Sequence, residues 1–261
     1  MSKRGPSLRE LATRLPSHRA PTSRAPALEA ARAALAAHHP GAVGAFVAGS
    51  AIDGTATEHS DLDIVVIYEA LPNAYQHSLR FQGWPVDFVV QDPDTLGFFF
   101  ERERQIGVPT LPTMVAEGTP LGDPPILAEL QDGARAILAA GPAPLPDALR
   151  DQARYQITAL RDDLRDPRPA SERAAIAVAL HEPLVTLYLR SRGRWAALGK
   201  RVPRALQAAD PGFAERFSAG FAEAVAGDPA AWIAVCDEVL AGVGGPLSDG
   251  YRTNAPRQWR M

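Results

Sequence analysis

Asp61, Asp63 and Asp87 are the residues whose type and spacing most directly imply chemistry. Asp61-Leu62-Asp63-Ile64 opens the most strand-like run of the chain, Asp61–Tyr68, with a polar start and a β-branched centre. Side chains two apart on a strand face the same way, so Asp61 and Asp63 project together while Leu62 and Ile64 face the core. Two carboxylates about 7 Å apart along one strand repel unless a cation lies between them. A hard, oxygen-seeking ion such as Mg²⁺ suits them, particularly one that also takes phosphate oxygens as ligands. Asp87 sits in a separate apolar strand, Val86–Val90, where an acid is costly unless it is paired or binds metal. It is the candidate third ligand. Upstream, Gly49-Ser50 follows the apolar run Ala45–Ala48 and is separated from Asp61 by ten polar-rich residues, 51–60. Glycine lets backbone approach a phosphate closely, and the serine hydroxyl with nearby N–H groups can donate to it. A lone D-x-D at a strand start is usually an exposed edge or turn. The three features in this order, on these element types, point to a metal and nucleotide site.

The elements that must position these groups are readable. Leu28–His38 is an Ala-rich helix ended by His39-Pro40-Gly41. Strands are expected at Ala45–Ala48, Asp61–Tyr68, His77–Gln82 and Val86–Val90, the last two joined through Gly83-Trp84-Pro85. Leu96–Gln105 is a helix capped by Asp92 or Asp94, and residues 107–124 read as loop, with Pro109, Pro112, Pro120 and Pro124-Pro125. From Ile126 the spacing is helical throughout: Ile126–Ala140, Leu145–Arg165, Ser171–Arg192, Val202–Ala209, Phe213–Ala226 and Ala230–Gly242. The expected architecture is an α+β domain with a mixed sheet flanked by helices (27–124), followed by an all-α helical-bundle domain (125–261).

Composition narrows the function classes. The chain has 261 residues, 46% hydrophobic and 22% charged, enough for a sizeable core. The formal charge is −3, which disfavours bulk-charge binding of nucleic acid. Residues 1–26 carry six basic residues against Glu10, a net of +5, so the rest carries −3 − 5 = −8. The tail's arginines alternate with Pro6, Pro16, Pro21 and Pro26, neither a helix nor a strand period, and read as a mobile, extended, solvated segment. A single cysteine, Cys236, rules out an intramolecular disulfide and a cysteine-built metal cage. No secretory signal or membrane-spanning run is visible, so a cytoplasmic protein is expected.

Gly49-Ser50, Asp61-Leu62-Asp63 and Asp87 together resemble the signature of the polymerase-β-type nucleotidyltransferase superfamily, over roughly residues 28–120. The succession of such a half and a helical half is similar to the antibiotic adenylyltransferases that modify aminoglycosides and lincosamides. The resemblance implies that ATP binds with its triphosphate near Gly49 and Ser50. It implies that Asp61 and Asp63 hold Mg²⁺, with two ions in all, and that Asp87 completes the ion site nearer the acceptor. A hydroxyl then attacks the α-phosphorus and pyrophosphate leaves. The expected activity is AMP transfer to a small-molecule hydroxyl in the cleft between the two halves, and antibiotic resistance is the implied role.

Three residues of the helical half are further candidates. Glu182, mid-helix between His181 and Pro183, is a candidate general base in place of a metal-bound Asp87, or a group for a cationic acceptor. The proline is expected to bend its helix beside a pocket wall. Against that, Glu182 also fits a surface stripe, and His181 a structural role. The basic residues are 25 arginines and two lysines, which singles out Lys200. Its compact ammonium suits a triphosphate, and the antibiotic adenylyltransferases similarly use a lysine of the helical domain. Tyr251 could stack on or bond the nucleotide, while Asp53 and His59 read as solvated. The −8 body favours a polycationic acceptor by steering. Other readings stay open: AMP transfer onto a protein, as in nucleotidyltransferase-type antitoxins; a non-catalytic nucleotide-binding module; and, more weakly, RNA nucleotide addition. A homodimer is compatible with the chain.

Overall fold

A computed structural model describes residues 24–122 and 125–255. Residues 1–23, most of the expected extended tail, lie outside the described residues. Arg24–Pro26, the end of that segment, are helical: α1 spans Arg24–His38 and begins with them. Pro26 fits because N–H groups of the first turn have no intrahelical acceptor to lose. Ala27, Ala30, Ala31 and Ala34 form the buried face of α1, at the spacing of one helix side.

Of the described residues, those up to Phe100 and those from Thr110 to Ile137 form one compact unit. Glu101–Pro109 and the residues from Leu138 onward form a second.

The first unit is built on a five-stranded mixed sheet with strand order β3-β4-β2-β1-β5. The strands are β1 Gly44–Ala48, β2 Leu62–Ile67, β3 Tyr75–Phe81, β4 Trp84–Gln91 and β5 Thr119–Leu121. Only β2 and β4 run parallel; the other neighbours are antiparallel. A four-residue helix, α2 (Ser50–Asp53), leaves the end of β1. Next come α3 (Pro93–Ile106) and α4 (Thr110–Glu117), and after β5 comes α5 (Pro125–Ala140). Both α3 and α5 cross a unit boundary, at Phe100 and Ile137. The core joins the alanine face of α1 to Val47, Leu62, Ile64, Val66, Val86, Phe88 and Val90. β3 is an edge strand, mostly exposed.

Two expectations are corrected here. Residues 107–124 are not simply loop, since they contain α4 and β5. Pro112 is the third residue of α4, where its missing N–H costs no helical bond, and Pro120 lies in a strand that pairs on one side only, with β1. The β3–β4 turn is Gln82-Gly83, both with positive φ, the conformation that matches the twist of a tight hairpin. Trp84 and Pro85 belong to β4; Pro85 is tolerated because pairing with β2 starts one residue later, at Val86.

The second unit contains α6 (Asp147–Arg165), α7 (Ala170–Arg190), a 3₁₀ turn at Gly199–Arg201, α8 (Val202–Ala209), α9 (Pro211–Ala226) and α10 (Ala230–Ala241). Their shared core includes Ile157, Leu180, Leu184, Phe213, Phe217, Trp232 and Val239. Helix α7 runs from Ala170 through Pro183 to Arg190 as one α-helix. Arg190, only 3% exposed, fastens Glu101–Pro109 to the body of the unit. Its guanidinium donates to the carbonyls of Gln105, Ile106 and Ala143. Burial lowers its pKa below the usual arginine value.

Candidate active site

Strand register explains the meeting of the three aspartates. Leu62 pairs with Val86 and Asp63 with Asp87 along the parallel β2–β4 ladder. Leu62, Ile64, Val86 and Phe88 are buried, so alternation turns Asp61, Asp63 and Asp87 to one common side. Each aspartate is half-buried, and one ligand oxygen from each lies within 4.8 Å of the others. Asp61 itself immediately precedes β2. A half-buried set made only of carboxylates suits a hard divalent cation and offers no soft ligand. On that chemistry the three residues fit the implied metal.

The end of β1 supplies the next part. Ala48 is the register partner of Asp63 on the side of β2 opposite Asp87, so Gly49 leaves the sheet beside the carboxylates. Gly49 has φ +84, and a Cβ there would overlap Oδ2 of Asp63. Glycine at this position therefore meets two demands at once, left-handed backbone and the absence of a side chain. Its carbonyl accepts from Ile52 N–H and Asp53 N–H, turning the chain into α2. The Ser50 hydroxyl donates to the Ser60 hydroxyl at 2.8 Å. Ser60 also accepts from Thr57 N–H at 2.8 Å and is 7% exposed. Asp53 accepts from the N–H and hydroxyl of Thr55, and His59 lies exposed beside Glu58. Ser60 was not among the residues singled out by sequence. Its place directly before the D-x-D, at the close of a ten-residue loop, is the signal that marks it.

The family model of the nucleotidyltransferase domain matches residues 28–116, which hold Gly49, Ser50 and all three aspartates. The matched segment is a nucleotidyltransferase domain. Among solved structures, a nucleotidyltransferase-like protein from Exiguobacterium sibiricum is similar over 82% of this chain and 74% of its own, at 13% identity and a TM-score of 0.42. No curated protein matches the sequence. Within the matched segment the aspartate cluster fits a divalent metal.

The remaining candidates lie in the second unit. Glu182 is exposed on α7. His181 packs its ring against Phe217 and Phe221, at centroid distances of 5.0 and 4.8 Å, beside Trp232. Burial lowers the His181 pKa, opposed by the charge of Glu182. Lys200 is exposed in the 3₁₀ turn. Tyr251 is half-buried and stacked on Tyr155, with centroids 4.3 Å apart, so its ring face has a partner within the unit. Among the described residues, no helix is long and apolar enough to cross a membrane.

Proposed function

We propose that the protein moves AMP from ATP to a hydroxyl of a small molecule and releases pyrophosphate. The observation that supports this most strongly is the convergence of Asp61, Asp63 and Asp87 beside Gly49. The three carboxylates would hold Mg²⁺, as a pair of ions, and the metal when bound acidifies the attacking hydroxyl and offsets charge on the departing pyrophosphate. Gly49 and Ser50 receive the triphosphate, where the lack of a side chain at Gly49 allows close approach. The acceptor oxygen forms its bond to the α-phosphorus as the bond to the β-phosphate oxygen breaks.

Asp87, if it ligates metal, is a poor base, because the cation lowers its proton affinity. Glu182 is the alternative group to take the acceptor's proton. Lys200 is assigned to the nucleotide phosphates on the chemistry of its ammonium. Tyr251 is assigned to the nucleotide more weakly, since Tyr155 already occupies one face of its ring.

For the acceptor we favour a polycationic, hydroxyl-bearing compound of the aminoglycoside type, which would make the protein an antibiotic-resistance enzyme acting in the cytoplasm. The charge of −8 outside residues 1–26 supports this by steering cations. A screen of cationic antibiotics and neutral hydroxyl compounds with ATP, following Mg²⁺-dependent pyrophosphate release, tests the reading. Release with a cationic acceptor supports it. Transfer of label only to a co-purified protein would favour protein AMP transfer instead.

A further inference from the structure

Ser60 is 7% exposed and its hydroxyl is a junction. It accepts the Ser50 hydroxyl at 2.8 Å and Thr57 N–H at 2.8 Å, while Ser60 N–H donates to the Thr57 carbonyl at 3.1 Å. Ser50 lies next to Gly49, whose missing side chain makes room for Asp63, and Ser60 lies next to Asp61. One buried hydroxyl thus connects the segment that leaves β1 to the segment that enters β2. Without it, the 51–60 loop would lose its cross-link, and Ser50 would be free to change rotamer.

We propose that Ser60 is a positioning residue that holds the Ser50 hydroxyl and the backbone of Asp61 as one rigid assembly, so that nucleotide phosphate and metal meet a preset site. The claim rests on the nucleotidyl-transfer reading. Its physical content is that the bonds one buried oxygen accepts from the Ser50 hydroxyl and Thr57 N–H hold Ser50 and the residue directly before Asp61 in place before ligand arrives. The ordering entropy is then not charged to binding.

The test uses the full chain with Mn²⁺ alone, then Mn²⁺ with a non-hydrolysable ATP analogue. Wild type, Ser50→Ala, Ser60→Ala, Ser60→Thr and the Ser50→Ala/Ser60→Ala double variant are compared at matched melting temperature. Expected for Ser60→Ala is Mn²⁺ affinity lowered about threefold and analogue affinity lowered about tenfold, the size of one lost hydrogen bond. Ser50→Ala lowers analogue affinity by a similar factor and leaves Mn²⁺ affinity alone. The double variant is no worse than Ser60→Ala, because both changes break one link, and Ser60→Thr, which keeps the hydroxyl, returns the analogue affinity to within about twofold of wild type. Wild-type affinities in Ser60→Ala, or additive losses in the double variant, would overturn the proposal. Should Ser60→Ala fail to fold, Ser50→Ala breaks the same bond from the other end, and wild-type analogue affinity there is equally fatal. A wild type that binds Mn²⁺ but no nucleotide defeats the transfer reading alone, and the Mn²⁺ arm still decides on Ser60. Failure to bind either defeats both.

Discussion

Asp63 and Asp87 are register partners across the parallel β2–β4 ladder, so their carboxylates rise from adjacent strands at one level. With Asp61 added, three acids bring ligand oxygens within 4.8 Å of one another. Like charges at this spacing repel, and a cation between them offsets the repulsion. Saturating Mg²⁺ or Mn²⁺, at about one hundred times Kd, should stabilise the wild type by roughly 2.7 kcal/mol. The Asp87→Asn variant should lose that gain and, in metal-free buffer, melt no lower than wild type. Thermal unfolding with and without metal checks both halves. A metal-free Asp87→Asn protein that melts well below wild type would show that the carboxylate is paired for structure.

Gly49→Ala tests the close approach at the end of β1. The new methyl group would have to displace Asp63, and the backbone would have to hold alanine at a left-handed φ. Strain of about 1–2 kcal/mol is expected in stability. Nucleotidyl transfer should fall by about a hundredfold or more, because a metal ligand moves. The comparison of kcat with melting temperature separates the two effects. A large loss of stability with transfer intact would make Gly49 a folding residue only.

His39 of the first unit lies in a cluster with His77, Tyr68 and Phe88. His39 is 3% exposed; its Nδ1 is 3.2 Å from the Tyr68 hydroxyl, and its buried Nε2 has no hydrogen-bond partner among the described residues. Burial, then the neighbouring His77 and His38, lowers its pKa. A depressed pKa in the folded state contributes stability at pH values above the unfolded value of about 6.5, and that stability is lost as pH falls through the window below it. Urea unfolding of the wild type should therefore weaken between pH 7.5 and 5.5 by more than that of His39→Asn. Equal pH dependence in the two proteins would contradict the assignment.

In the second unit the Arg190 seat should be intolerant. Gly107 has φ +85, and a Cβ there would overlap the Arg190 guanidinium. Arg190→Met removes the donor to the carbonyls of Gln105, Ile106 and Ala143, of which the Ala143 bond is buried, a cost on the order of 3 kcal/mol. Gly107→Ala should cost a similar amount by expelling the same side chain. Denaturant midpoints of the two single variants and of the double check this; the double should be far less damaging than the sum.

Lys200→Ala should raise KM for ATP about tenfold and leave KM for the acceptor unchanged, as expected for an ammonium on phosphate. Initial-rate kinetics with each substrate varied decide it. The reverse pattern would assign Lys200 to the acceptor.

The legible part of the molecule was the part governed by short-range pattern. Period-two alternation in Asp61–Tyr68 placed Asp61 and Asp63 on one side, and the i, i+3, i+4 spacing marked the helices, while Asp87 stood out as an acid in an apolar strand. What no local pattern carries is register: that Asp63 meets Asp87, and Ala48 meets Asp63, depends on pairing between distant segments. Prolines misled for a related reason. Pro112 and Pro120 read as loop until their positions, first helical turn and edge strand, are known. Ser60 stayed hidden because a serine in a polar loop is unremarkable until the loop folds back onto Ser50.

The most direct measurement is calorimetric titration of Mn²⁺ into the wild type and into Asp61→Asn, Asp63→Asn and Asp87→Asn. Saturable binding to the wild type, weakened at least tenfold in every single variant, is the predicted result, with all four proteins folded. Binding in the three variants indistinguishable from wild type would contradict a metal centre built from these aspartates.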